Sequence, residues 1–250
     1  MKTCMELWSE MLISAGNLLI EESEELNRID AIIGDGDHGI TMKKIANLMI
    51  SHAKIGYQGS EELFSNLGLE ILSTPGGSAC LLYGTFFSGF LCEEEGVNDD
   101  KEDKNADDNN DKDKDIDNNN NADDVDNKDV DDKDDKYSDN DDDFNSIKAL
   151  IINGYEELTG ITNAKAGEKT MMDALIPAVE TLRTTDAAPA AVMRKAAESA
   201  KTGAESTKGY IAKYGRAKNY KEKSLGVPDP GAMSVSIVFE GFAKALEFWN

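Results

Sequence analysis

Residues 5–20 read MELWSEMLISAGNLLI, in which Met5, Trp8, Met11, Leu12, Ala15, Leu18 and Leu19 recur at helical spacing. That period lines one face of an α-helix and is not the alternation of a half-buried strand. Seven later segments pass the same test, which predicts helices at about 3–25, 39–55, 60–73, 77–92, 144–160, 170–184, 189–213 and 231–248. No segment carries a strand signal, so the expected fold class is all-α. Glu61 and Glu62 after Ser60 suit the positive start of a helix, and Pro189 suits a first helical position. Pro177 falls inside the sixth helix and is expected to kink it.

Eight helices with mostly short connections predict an antiparallel up-and-down bundle or barrel. The odd-numbered connections then emerge at one end. The first carries Asp30 and Gly34-Asp35-Gly36-Asp37-His38-Gly39; the third carries Thr74-Pro75-Gly76-Gly77-Ser78. The fifth carries Ala166-Gly167-Glu168-Lys169-Thr170, and the seventh Gly215-Arg216 with Asp229-Pro230-Gly231. Gly-rich loops gathered on one rim of a rigid scaffold are where a site is expected.

The net charge is −23, but 25 acidic residues against 7 lysines between Glu93 and Asp143 account for 18 of those charges. That segment is mostly Asp, Asn and Lys, with few apolar residues, among them Ile116, Val125, Val130 and Tyr137. It lacks the apolar surface to offset its ordering entropy and is expected to be a disordered insertion at 93–143, between the fourth and fifth helices. Residues 1–92 plus 144–250 then form one domain. The acidity belongs to the insertion and says nothing of the folded part's partners. No basic face stands out, which argues against nucleic acid. Cys4, Cys80 and Cys92 lack disulfide-framework or metal-type spacing and read as reduced thiols. Glu6, Ser9 and Glu10 interrupt any signal-peptide core, and no 18-residue apolar run exists, so a cytoplasmic protein without a membrane segment is expected.

Asp30, Asp35 and Asp37 place three carboxylates within eight residues, with Gly34, Gly36 and Gly39 between and beside them. Hard oxygen donors at this density suit Mg²⁺, and a solvated Asp-Gly turn is the alternative. An EF-hand is excluded. Counting from Asp35 the twelfth position is Ala46, and counting from Asp111 the sixth and twelfth are Ile116 and Ala122. Gly76-Gly77-Ser78 opens a helix with unobstructed N–H groups, which suits phosphate or is simply a tight turn. Glu168 stands where a Walker motif needs lysine. His38 and Arg216 are candidates for phosphate contact, each with a bland packing or surface alternative, and His52 reads as structural.

Taken together, Asp30 to Gly39, Gly76 to Ser78 running into Leu82-Tyr83-Gly84-Thr85-Phe86-Phe87, Gly167 to Met171 with Asp173, Gly215-Arg216-Ala217 and Asp229 to Ala232 resemble the L-type subunit of dihydroxyacetone kinases. The resemblance implies an eight-helix barrel with nucleotide at one open end. It makes Asp30, Asp35 and Asp37 the ligands of two Mg²⁺ ions. His38, Gly39, Ile40, Thr41, Ser78, Ala79, Thr162, Met171, Arg216, Asp229, Pro230 and Gly231 would surround ADP or ATP, with Arg216 as the catalytic residue. It further implies a separate K-type subunit that holds dihydroxyacetone, with either ATP or a phosphohistidine (M-type) protein of the sugar phosphotransferase system as donor, in a homodimer or hetero-oligomer. Two positions depart from the family pattern: Ala79-Cys80 replaces Ser-Gly, and Thr162 stands where glycine is common. A non-catalytic nucleotide-binding regulator and an acidic interaction protein are the alternatives.

Overall fold

Thr3 starts the first helix. Its hydroxyl accepts from the Glu6 amide (3.2 Å) while the Glu6 carboxylate accepts from the Thr3 amide (2.8 Å), a reciprocal cap that satisfies two end donors. The computed structural model describes residues 3–91 and 139–247. Among the described residues it holds helices α1 (Cys4–Glu21), α2 (Ser23–Ile33), α3 (His38–Ala53), α4 (Ser60–Leu72) and α5 (Gly77–Ser88). These are followed by α6 (Asp139–Ile161), α7 (Met172–Thr184), α8 (Pro189–Ser206) and α9 (Pro230–Leu246), with 3₁₀ segments at Thr207–Gly209 and Ala217–Ser224. No strand occurs among the described residues, as the periodicity predicts.

Several expected boundaries are corrected. The helix placed at 3–25 breaks at Glu22 and resumes as α2 to Ile33, so Asp30 lies in a helix and not in a connection. The break has a local cause: the Ser23 hydroxyl bonds back to the Ile20 carbonyl (2.8 Å), and α3 presses on the joint. A Cβ at Gly39 would collide with the Ser23 carbonyl, so only glycine permits this approach. The helix expected to reach 213 ends at Ser206, where a 3₁₀ turn takes over. The sixth element starts at Asp139, inside the stretch expected to be insertion; the rest of that expectation, and Cys92, lie outside the described residues. α7 runs unbroken through Pro177, whose ring removes one donor to the Asp173 carbonyl. Gly203 of α8 lies against that carbonyl, where a Cβ would collide.

Packing follows chain order. α1 packs on α3, α3 on α4, α4 on α5, α5 on α6, α6 on α7, α7 on α8 and α8 on α9, and α9 returns to α1. The cycle of contacts is therefore closed, with α2 extending from α1 toward α3. At its centre Trp8 meets Phe64 edge-on at 4.7 Å, with Phe90 and Phe242 at 5.5 and 6.1 Å. Such edge contacts suit the ring quadrupole, and the fully buried indole adds a large apolar area. His52 is buried and bonds to Tyr57 (2.8 Å) and Glu70 (2.6 Å), which supports its structural reading as a tie between α3, its following connection and α4. No helix among the described residues is long and apolar enough to cross a membrane.

The closing contact depends on Gly241, where a Cβ would run into the backbone of Ala15. Gly241→Ala is expected to lower stability by about 1–3 kcal/mol through overpacking. Urea unfolding checks it, and an unchanged midpoint would show that α1 and α9 can separate at no cost.

Candidate functional site

The last turn of α2 carries Asp30, whose buried carboxylate turns toward the connection that follows. Its Oδ2 accepts from the amides of Gly36 (2.9 Å), Asp37 (3.0 Å) and His38 (3.3 Å). Gly36 has φ 76°, a left-handed turn that folds the chain back over this carboxylate. Gly34 leaves room for it, since a Cβ there would collide with Asp30. The result brings one carboxylate oxygen from each of Asp30, Asp35 and Asp37 within 4.8 Å of the others. Asp35 and Asp37 are exposed, and Arg216 pairs with Asp35. Partial burial, then the Asp35 carboxylate, pushes the Asp37 carboxyl above its ordinary value, while Arg216 opposes the rise. Crowded hard oxygens are a donor set suited to Mg²⁺.

The other rim connections meet this one. The Lys44 ammonium donates to the Pro75 carbonyl (2.9 Å), and Gly76 lies against Thr41 and Cys80 closely enough to exclude a Cβ. α5 then starts without a side-chain cap, with Ser78 exposed and Ala79 half-buried in its first turn. Burial pushes the Cys80 thiol up, so it is a poor nucleophile. Gly39 and Thr41 are buried in the first turn of α3, and the Ile40 amide donates to Asn27 (3.0 Å) while its side chain is exposed.

α9 enters through its own cap. The Asp229 carboxylate accepts from the Ala232 amide (2.8 Å), and Pro230 occupies the first turn. Burial pushes Asp229 up to about 7, the Ala232 amide opposing. One turn on, the buried Ser234 hydroxyl donates to the Gly231 carbonyl (2.8 Å) and accepts from the Tyr83 hydroxyl (3.0 Å). His38 Nε2 lies 3.0 Å from the same hydroxyl, and its ring also bonds to the Pro230 backbone. Desolvation lowers His38 to about 4, which keeps the imidazole neutral near pH 7. His38 is therefore a polar contact and not a cation for phosphate.

Met171, just before α7, is buried near Gly231, where a Cβ would lie 3.5 Å from its own. Arg216 precedes the 3₁₀ segment, and an open cavity of about 560 Å³ is lined by Gly34, Arg216, Asn219, Tyr220 and Lys223. Thr162 accepts from the Ala164 amide (3.2 Å), and its described contacts stay local. Sequence reasoning misses Ser234 and Lys169. Ser234 carries a signal, a polar residue inside the apolar run of α9; Lys169 sits in a connection, where burial has no periodic mark.

The chain belongs to the DAK2 domain family, whose profile matches residues 32–110 and 131–244. A Listeria innocua relative described as the ADP-binding subunit DhaL of PEP-dependent dihydroxyacetone kinase 2 is 29% identical, over 96% of this chain and 95% of its own. An Escherichia coli protein described as the ADP-binding subunit DhaL of PEP-dependent dihydroxyacetone kinase is 27% identical, over 94% of this chain and 93% of its own. The fold is similar to the crystal structure of the dihydroxyacetone kinase of C. freundii in complex with AMP-PNP and Mg²⁺. The TM-score is 0.59 at 21% identity, over 95% of this chain and 33% of that one, so this chain spans about a third of that kinase.

In metal-free buffer, Asp30→Ala is expected to cost about 1–3 kcal/mol, because it strips the acceptor from three amides. Asp35→Ala, which removes an exposed carboxylate, is expected to change stability by no more than about 0.5 kcal/mol. Urea unfolding with chelator present checks both; equal effects would mean that Asp30 does not organise the connection.

Proposed function

We propose that this chain is the nucleotide-carrying subunit of a dihydroxyacetone kinase. It holds Mg²⁺-bound ADP or ATP at the rim and passes a phosphoryl group to dihydroxyacetone on a separate K-type subunit. The observation that carries this reading is the convergence of the Asp30, Asp35 and Asp37 carboxylates, with Gly76, before the uncapped start of α5, packed on Thr41 one turn along α3 from Asp37. Three carboxylates repel a polyphosphate, so their use at such a site requires cations. Two Mg²⁺ would over-neutralise them by one charge, leaving a positive surplus for the nucleotide. Bound there, the metal would supply charge neutralisation and alignment of the phosphates.

The chain's own residues do the positioning. Asp30 holds the connection in shape, and Asp35 and Asp37 present their oxygens outward. The amides of Ser78 and Ala79 at a positive helix end suit phosphate oxygens, and Ala79 in place of a hydroxyl leaves that contact to the backbone. Thr41, Thr162, Met171 and Asp229 to Gly231 are assigned to the rest of the nucleotide. Arg216 spans two phosphate oxygens and stabilises charge as the group transfers.

The near full-length likeness to subunits described as PEP-dependent favours recharging of bound ADP by a phosphohistidine (M-type) protein. Direct use of ATP is the second reading, favoured by the AMP-PNP complex of the C. freundii kinase. The absence of a membrane-spanning helix among the described residues supports a cytoplasmic assignment.

Native mass spectrometry of the purified chain is expected to find ADP with two Mg²⁺ retained. Asp35→Asn and Asp37→Asn are each expected to abolish that retention with helical circular dichroism intact, and unchanged retention would refute the metal assignment. Arg216→Lys, assayed with a K-type partner and each donor in turn, is expected to slow transfer at least about tenfold while lowering metal retention less. Full transfer by that variant removes Arg216 from the site.

A further inference from the structure

Lys169 stands where burial and backbone both count against a lysine. Its side chain is buried, and its φ of 62° is a left-handed conformation that residues with a Cβ rarely adopt. An ammonium taken out of water is unfavourable unless partners replace its hydration. Those partners are the carbonyls of Thr207 (2.6 Å) and Val227 (2.5 Å), with the Asp229 and Asp173 carboxylates nearby. Burial pulls Lys169 below the ordinary lysine value, and the two carboxylates oppose it.

These partners close a circuit. Asp173, in the first turn of α7, accepts from the amides of Gly167 (2.5 Å) and Thr170 (2.7 Å) and so brackets Lys169. The Thr207 hydroxyl, beyond the end of α8, accepts from the Asp229 amide (2.8 Å). Val227 lies two residues before Asp229, which caps α9. Met171 follows Lys169 by two residues and sits near Gly231. One ammonium thus ties the connection before α7 to both ends of the connection between α8 and α9.

We propose that Lys169 is a positioning residue that sets Met171 against the first turn of α9 and lends its positive charge to Asp229, the cap of that turn. The proposal rests on the nucleotide-binding reading above. The ionisable groups facing Asp229 are Lys169 from the connection before α7, Asp173 from α7 and Tyr83 from α5, with His38 of α3 beside Pro230. Among these Lys169 is the cation, so its removal moves Asp229 further upward. The sign is fixed: a carboxyl raised on folding favours the protonated state, and the stability it contributes below pH 4 is lost as pH rises through about 7. Without the ammonium that loss shifts to higher pH, and near pH 7 α9 carries a neutral cap.

The test uses the full chain and Lys169→Met, which keeps length and removes charge. Three quantities are read: Mn²⁺ affinity alone, Mg-ADP affinity by calorimetry from pH 6 to 9, and the Asp229 carboxyl midpoint by ¹³C NMR. The expected result is unchanged Mn²⁺ affinity, at least about tenfold weaker Mg-ADP binding near pH 7 that recovers in part at pH 9, and an Asp229 midpoint raised by about one unit or more. Should the methionine variant not fold, Lys169→Gly takes its place, since glycine favours the left-handed backbone. An unmoved Asp229 midpoint overturns the proposal, whatever happens to affinity. A raised midpoint with Mg-ADP affinity unchanged at every pH overturns it as well. Failure of the wild-type chain to bind Mg-ADP at all defeats the nucleotide reading instead, and the Asp229 midpoint still decides whether Lys169 controls that carboxylate.

Discussion

Three backbone amides converge on one oxygen of Asp30, and the arrangement of the rim depends on it. Asp37 occupies the N-cap position of α3, where an aspartate commonly accepts from its own helix, yet no side-chain cap bond forms there. The Ile40 amide that such a cap would take donates to Asn27 of α2, while Asp30 of the same helix takes the Asp37 and His38 amides. The cap is non-local, and its consequence is that the Asp37 carboxylate stays available as a ligand. The arrangement also answers a problem of α2, since a carboxylate in the last turn of a helix opposes the dipole. The donors at the start of α3 offset that opposition.

Much of this follows from the sequence by simple counting. The helical period of residues 5–20 and its later repeats place the elements, and connection parity groups the loops that the contacts among Asp35, Arg216, Lys44 and Pro75 join. What escapes has physical reasons. Leu26, Ile29 and Ile33 continue the period through Asp30, but Arg28, Asp30 and Gly34 mimic the composition of a loop. The stop at Ser206 is set by Thr207, whose hydroxyl bonds back to Ala204 and receives the Asp229 amide from 22 residues away, a tertiary contact with no local signature. Lys169 is hidden for the same reason.

The hydroxyl of Ser234 joins three helices at the rim, α9 through Gly231, α5 through Tyr83 and α3 through His38. It donates to Gly231, accepts from Tyr83 and lies 3.0 Å from His38 Nε2, whose ring burial keeps neutral. His38 therefore adds no positive charge to the rim. Arg216 is exposed and already shared with Asp35, and Lys169 is turned inward to carbonyls. On the proposed reading, metal at the three aspartates supplies the positive charge that a polyphosphate needs there.

The distribution of backbone strain points the same way. Left-handed residues occur at Gly36, Gly167, Lys169, Gly215, Lys221 and Gly226 in rim connections and at Gly77, the first residue of α5, and of these only Lys169 and Lys221 carry a Cβ that makes the conformation strained. Strained conformations persist only when their surroundings over-determine them. Here the surroundings are carboxylates: Asp30 holds the turn at Gly36, and Asp173 holds the turn through Gly167 and Lys169. The closed cycle of helices supplies the rigid support, with Trp8, Phe64 and Phe90 packed at its centre. An apolar core of aromatic rings thus supports polar turns that carboxylates hold in shape.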